Sequence, residues 1–418
     1  EMEGVEEMET AEAEEMESVE EVETAEAEEM EGVAEVETPE TEKTESVEAA
    51  KTEHVEEPDE VVEVDEAADA DIEEEEEEEE VTAESPSEVE GDIRANLEEI
   101  DTLYQQALSC LGQGELEQAI RHTNQAIQLS PGEARLYNLR ANAYKSSGEL
   151  QKALVDYDQA LEIRPEYATA FYNRGNAYYE EGKLDKAVAD YSQAITFFSE
   201  DPDRADAYYN RGRVYYETGE FEPAVIDYDQ AIRLYKDDED RAKTFNNRGL
   251  AYHDRGDLEK AIADFAQAIL LSSDKKIKAI MHRNRANALI DAKRLGEAEL
   301  DCKAAENFDP DSPYTQARRA KLYYAQGEYQ RSLEIYRKAN QTSSNPAEFN
   351  LELALPLLCL GQSERALEAI QAGLKQAPDA NYLISVLREY RRLGSRQADL
   401  PGLNQATELI QDATRRTL

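Results

Sequence analysis

Five arginines recur in this chain with an aspartate sixteen residues further on: Arg140 and Asp156, Arg174 and Asp190, Arg211 and Asp227, Arg248 and Asp264, Arg285 and Asp301. A guanidinium and a carboxylate can close a bidentate, charge-assisted pair. Repeated at one offset, the pairing reads as a structural ladder between helices that needs no ligand. The other reactive groups are scattered. His54, His122, His253 and His282 show no paired spacing for acid–base work. Cys110, Cys302 and Cys359 lie far apart with no C-x-x-C, which suggests neither a disulfide framework nor a zinc site and points to a reducing compartment. The G-x-G at Gly112 falls in a helix turn, without the strand a dinucleotide site requires. No catalytic residue, metal site or cofactor is expected, and the chain does not read as an enzyme.

The elements that must position the ladder emerge once charge has divided the chain. Residues 1–90 hold 43 acidic residues against Lys43 and Lys51, a net of −41 out of −51 for all 418 residues, and no aromatic residue. So charged a segment cannot bury enough apolar surface to offset the entropy of ordering it, and residues 1–91 are expected to be a disordered acidic arm. The arm has its own 14-residue period: EMEGVEEMETAEAE from Glu1, EMESVEEVETAEAE from Glu15, EMEGVAEVETPETE from Glu29 and a decayed copy from Lys43. Two heptads make 14, but Met2, Val5 and Met8 are flanked by Glu, and like charges repel along such a helix. The run Glu73 to Glu80 favours disorder further.

From Ile100 the chain repeats a different unit. Starts at Ile100, Ala134, Ala168, Ala205, Ala242, Ala279, Pro313 and Ala347 bring eight copies into register, with spacings of 34 residues at both ends and 37 in the middle. The eighth position is never larger than alanine (Ala107, Ala141, Gly175, Gly212, Gly249, Ala286, Ala320, Ala354), and alanine dominates the twentieth and twenty-seventh. Small residues at these places let two antiparallel helices cross closely, with Tyr178 and Tyr191 filling the space beside them. Glycine stands at the fifteenth position of seven copies, from Gly114 to Gly361, where a left-handed turn must join the helices. Lys293 occupies that place in the sixth copy, so its turn should be strained or differently built. Pro131, Pro165, Pro310 and Pro378 mark helix ends. The 37-residue copies carry Ser199, Lys236 and Ser273 instead, and three added residues are nearly one helical turn, so their second helices are expected to run longer.

Tyr or Phe at position four, Gly or Ala at eight, Tyr at eleven, Gly at fifteen, the two alanines and the proline together resemble the tetratricopeptide repeat. The string YNRGNAYYEEGKLDKAVADYSQAI from Tyr172 is similar to bacterial members of that family, and the match covers about residues 100 to 380. The resemblance implies an all-α, right-handed superhelical α-solenoid of about eight helix-turn-helix units over residues 92–380. Residues 381–418, with Leu383, Val386, Leu387 and Tyr390 and then Leu403, Ala406 and Ile410 at helical spacing, read as a capping helix pair that covers the last apolar face.

The resemblance also implies where a partner would lie. In the family, positions two, five, six, nine and twelve of each first helix line a concave groove. Here they supply Tyr172, Asn173, Asn176, Tyr179, Tyr209, Asn210, Arg213, Tyr216, Lys243, Asn247, Arg283 and Asn284. Asn can donate and accept to an extended peptide, and Tyr offers flat area with little entropy loss. The carboxylate clamp of chaperone-binding members would need Lys, Asn, Asn, Lys and Arg where copies three to five have Tyr172, Asn176, Asn210, Lys243 and Asn247. Two cations are missing, so a chaperone-tail adaptor is not expected. The function expected is a scaffold, adaptor or assembly factor holding a protein or peptide segment, the alternative being a chaperone for basic proteins, or a polyanion mimic, acting through the arm. The strong negative charge argues against nucleic acid as a partner. No apolar stretch approaches the roughly 18 residues of a membrane span, which points to the cytoplasm. The first residue is Glu1, which leaves room for an upstream leader or anchor.

Overall fold

The computed structural model describes residues 86–345, 349–376, 380–397 and 399–417, with side chains of the first helix described from Asn96 onward. The acidic arm through residue 85, the eighth-copy start Ala347 and the helix-ending Pro378 lie outside the described residues. Two units are separable, residues 1–81 and 82–418, and the account below concerns the second.

Its regular structure is helical throughout the described residues, and consecutive helices pack as antiparallel pairs. In chain order these are α1 (Pro86–Gly112) with α2 (Leu116–Leu129), α3 (Ala134–Ser146) with α4 (Leu150–Ile163), α5 (Ala168–Glu180) with α6 (Leu184–Phe197), α7 (Asp201–Glu217) with α8 (Phe221–Leu234), and α9 (Asp238–Arg255) with α10 (Leu258–Leu271). There follow α11 (Lys275–Asp291) with α12 (Leu295–Phe308), α13 (Pro313–Gln326) with α14 (Tyr329–Thr342), α15 (Asn350–Cys359) with α16 (Ser363–Leu374), and finally α17 (Ala380–Arg396) with α18 (Leu403–Thr417). Helix α1 begins at Pro86, so residues 86–91, assigned by composition to the arm, are its opening turns.

The small positions are where each pair crosses. A Cβ added at Gly249 would stand 2.8 Å from Phe265 Cε1, and one at Gly175 would stand 2.9 Å from Tyr191 Cε1. The alanines at the twentieth and twenty-seventh positions are wholly buried. A large ring therefore fills the space that a missing side chain opens, and the pair closes at near-crystalline density.

The turns between paired helices follow one pattern. The Gly148 turn has φ 79° and is closed by Glu149 N donating to Tyr144 O at 2.8 Å. Lys293 takes φ 68° and Arg294 N donates to Leu289 O at 2.9 Å, so the sixth turn has the same geometry and the lysine bears the left-handed strain.

The extra residues of the middle copies are placed differently from expectation. Their second helices α6, α8 and α10 have 14 residues, the same as α2 and α4. The added turn instead lengthens the first helices that follow: α7, α9 and α11 have 17, 18 and 17 residues against 13 in α3 and α5. N-caps decide this. Asp237 accepts from Glu239 N and Asp240 N, and Asp274 from Lys276 N and Ile277 N, so new helices start at once. Acidic residues in the first turn of α9 favour the same start through the helix dipole.

Helices α17 and α18 bury Leu383, Val386, Leu387, Tyr390, Leu403 and Ile410 with Leu351, Leu358 and Ile370 of the last repeat pair, forming the largest apolar cluster of the unit.

Candidate functional site: the inner face and its closed end

The arginine–aspartate pairs form inside each repeat. Arg211 Nε and Nη2 donate to Asp227 Oδ2 and Oδ1 at 2.8 and 2.7 Å, and the same bidentate bridge joins Arg140 to Asp156, Arg174 to Asp190, Arg248 to Asp264 and Arg285 to Asp301. Four of these arginines use Nη1 to reach the preceding copy, at Asn124, Asp158, Ser192 and Asp229. The ladder ties helix to helix, as its spacing implied, and in four copies it also ties repeat to repeat.

First helices of successive copies approach one another and exchange side-chain hydrogen bonds, which makes them the inner face. The asparagine at position six donates to position five of the copy before it. Asn173 reaches Asn138 at 3.1 Å, Asn210 reaches the Tyr172 hydroxyl at 2.8 Å, Asn247 reaches the Tyr209 hydroxyl at 2.9 Å, and Asn284 reaches Asn246 at 2.9 Å. A second row runs along position twelve, where the Tyr179 hydroxyl donates to Glu217 and Tyr216 donates to Asp254 at 2.7 Å. These side chains lie along the first helices, and their polar groups partly serve to hold adjacent copies.

Two hollows remain on that face. The smaller, about 200 Å³, is lined by Asn176, Tyr179, Asn210 and Arg213 among others. Arg213 packs its guanidinium 5.1 Å from the centre of the Tyr179 ring and donates to that hydroxyl at 3.1 Å. Lys243 stands apart from it, exposed and paired with Asp240 on its own helix at 3.2 Å.

The larger hollow, about 540 Å³, is built by α11, α13, α15 and α17 with His253 of α9. Its size lies in the range of ligand pockets, roughly 300 to 1,000 Å³. Helix α17, expected only as an end cap, also forms one wall. Arg388 Nη2 donates to Asp254 O at 3.2 Å, and Arg392 Nη1 pairs with Asp291 at 3.2 Å, so the C-terminal helix reaches copies five and six across the inner face. Its amphipathic sequence carried the signal: Arg388, Glu389 and Arg392 stand opposite the apolar residues that meet the last repeat.

Asp291 gathers the charges at this crossing. It meets His253 Nε2 at 3.1 Å and Lys321 Nζ at 3.3 Å in addition to Arg392. Burial alone would raise its pKa, but Lys321, His253 and Arg392 outweigh it and hold the carboxyl well below the usual range. For His253 burial favours the neutral ring, yet Asp254 and Asp291 prevail and its pKa is raised. Glu352, half-buried in the same hollow, has its pKa pushed up by burial and accepts from the Tyr382 hydroxyl at 2.6 Å.

Within this architecture, residues 141–182 and 175–219 match the family model described as TPR repeat, and residues 205–238 and 242–275 match that described as tetratricopeptide repeat. The chain carries tetratricopeptide repeats. Among solved structures, the tetratricopeptide-repeat chain superposes on the apo form of RapI with a TM-score of 0.60 at 14% identity, covering 76% of this chain and 98% of that one. A tetratricopeptide repeat protein from Parabacteroides merdae ATCC 43184 is 21% identical over 62% of this chain and 99% of its own, with a TM-score of 0.46. YrrB, described as a TPR protein with an unusual peptide-binding site, is 23% identical over 46% and 95%, with a TM-score of 0.40. The likeness to RapI is one of fold. No curated protein sequence matches significantly. No helix of the described residues is long and apolar enough to cross a membrane.

Proposed function

We propose that this tetratricopeptide-repeat protein is a non-enzymatic adaptor or assembly factor that holds an extended segment of a partner protein along its inner face. The observation that carries this reading is the pair of hollows on that face, which combine aromatic rings, amides and the cations Arg213, Arg283 and Arg318. Aromatic and arginine side chains supply most of the binding energy at interfaces. Repeat proteins present such a face over many copies, so a segment can be read at several points. Free cysteines, with Cys302 fully buried, suit a reducing compartment such as the cytoplasm.

A second reading rests on the net charge of −41 in residues 1–90, which suits a chaperone for basic proteins. Salt and truncation separate the two. Partner affinity of the full chain is compared with that of residues 86–418, a cut that spares α1, at about 50 and 500 mM salt, where the screening length falls severalfold. Groove-based binding survives both changes. Binding through the arm collapses with salt and is lost with the truncation, and that result would overturn the adaptor reading.

A further inference from the structure

The first and last helices of the repeat unit carry opposite charge. Residues 380–418 hold six arginines against four acids, a local net of +2 in a chain whose net is −51. Residues 86–101 of α1 hold six acids against Arg94, a net of −5.

Between α17 and α18 runs an open groove of about 640 Å³. Leu387 and Thr414 are buried at its base, whereas Ile384, Arg391 and Arg415 along it are exposed. Arg391 has no hydrogen bond or ion pair among the described residues, unlike Arg392, which Asp291 and Glu389 hold from the inner side. Elsewhere in the chain a groove between paired helices is filled by a third. Helix α3 packs against both α2 and α1, and α5, α9, α11 and α13 likewise lie against both helices of the pair before them. Among the described residues no helix fills the α17–α18 groove in that way, which leaves Ile384 37% exposed between arginines.

Helix α1 is of the matching kind. It has 27 residues against 14 in α2, so α2 flanks only about half of its length. Residues 96–99 are exposed, Leu97 by 54%. In the sequence Val89, Ile93 and Leu97 follow one another at four-residue intervals, the spacing of a single helix stripe, among the acids. Two basic grooves set face to face would repel, so a symmetric contact through this groove is disfavoured. Groove against acidic helix is a heterologous contact, in which each copy offers a different surface.

We propose that the α17–α18 groove takes the acidic first half of α1 from a second copy of this chain, so that copies join head to tail. Leu97 meets Ile384 and Leu387, and the acids of α1 meet Arg391 and Arg415. The contact lies off the inner face and is independent of what that face binds. The net charge of −51 opposes encounters at low salt, but at physiological ionic strength screening acts over about 8 Å and charges in contact decide.

The test is sedimentation velocity of the full chain in about 0.15 M salt, over a roughly hundredfold range of concentration. The sedimentation coefficient of the parent should rise with concentration. Leu97→Asp on α1, Ile384→Asp in the groove and Arg391→Glu on its rim should each weaken association by about tenfold or more. Val155→Asp, exposed on α4, should change it less than about twofold. Because each variant spoils one side only, an equimolar mixture of Leu97→Asp and Ile384→Asp should recover a dimer. The first keeps an intact groove and the second an intact helix. Should Ile384→Asp lose helicity by circular dichroism, Arg391→Glu takes its place in the mixture.

A parent that stays monomeric throughout overturns the proposal and leaves the groove to a helix of another protein. Association that the three variants leave unchanged, or a mixture no more associated than its components, overturns the head-to-tail pairing. Both results leave the adaptor reading intact.

Discussion

Removing Arg211 should harm the protein far more than removing Arg211 and Asp227 together. Asp227 is 2% exposed and receives both of its carboxylate bonds from Arg211. Burial raises the Asp227 pKa, while the bonds from Asp227 raise that of Arg211 against its own burial, so desolvation and attraction oppose each other across the bridge. The intact pair therefore adds little net stability, while a lone Asp227 would be an uncompensated buried charge costing about 3 to 5 kcal/mol. Arg211→Met should destabilise the repeat by about that amount at neutral pH. Part of the loss should return as pH falls and the stranded carboxyl takes a proton. The double change Arg211→Met with Asp227→Leu fills similar volume with apolar atoms and should lie within about 1 kcal/mol of the parent. Urea unfolding of the parent, Arg211→Met, Asp227→Leu and the double variant, fitted to a nearest-neighbour repeat model, gives the cycle. A single variant that costs less than about 1 kcal/mol, or a double variant as unstable as the single, would refute the reasoning.

Lys293→Gly should stabilise the sixth repeat by about 1 kcal/mol, because glycine takes φ 68° without the Cβ clash that lysine bears; urea unfolding reads it, and no gain would show that the turn carries no strain. Gly249→Ala should cost roughly 1 to 3 kcal/mol, since its Cβ would press on the Phe265 ring at 2.8 Å, and Phe265→Leu in the same chain should recover part of that. The raised pKa of His253 stabilises the fold fully below the ordinary value of 6.5, and this contribution is lost as pH rises through the folded value. Thermal melts should show the decline above pH 6.5, and His253→Gln should flatten it.

Much of this fold was legible because repetition supplies internal comparisons. Arg140 to Arg285 each have an aspartate sixteen residues on, and that constant offset identified contacts that the structure contains. Gly175 and Gly249 identified crossings for the same reason. The three added residues were misplaced because length alone cannot say which helix they extend; the N-caps Asp237 and Asp274 hold that information. The inner face was harder still. Asn173, Asn210, Asn247 and Asn284 were singled out as groove residues, but their bonds to the preceding copy depend on the stacking distance between repeats. Helix α17 was read from its apolar residues alone, and only the curvature of the repeats brings Arg388 and Arg392 against Asp254 and Asp291.

The central claim is that the inner face holds the partner, and crosslinking from each face tests it most directly. A photoreactive phenylalanine derivative replaces Tyr179 or Tyr314 on the inner face, or Val155 or Ile226, which are 67% and 60% exposed on the second helices. The full chain is irradiated in the cells that make it. Adducts to one and the same protein from Tyr179 and Tyr314, and none from Val155 or Ile226, are the predicted result. Adducts confined to Val155 and Ile226, or equal from both faces, would contradict it.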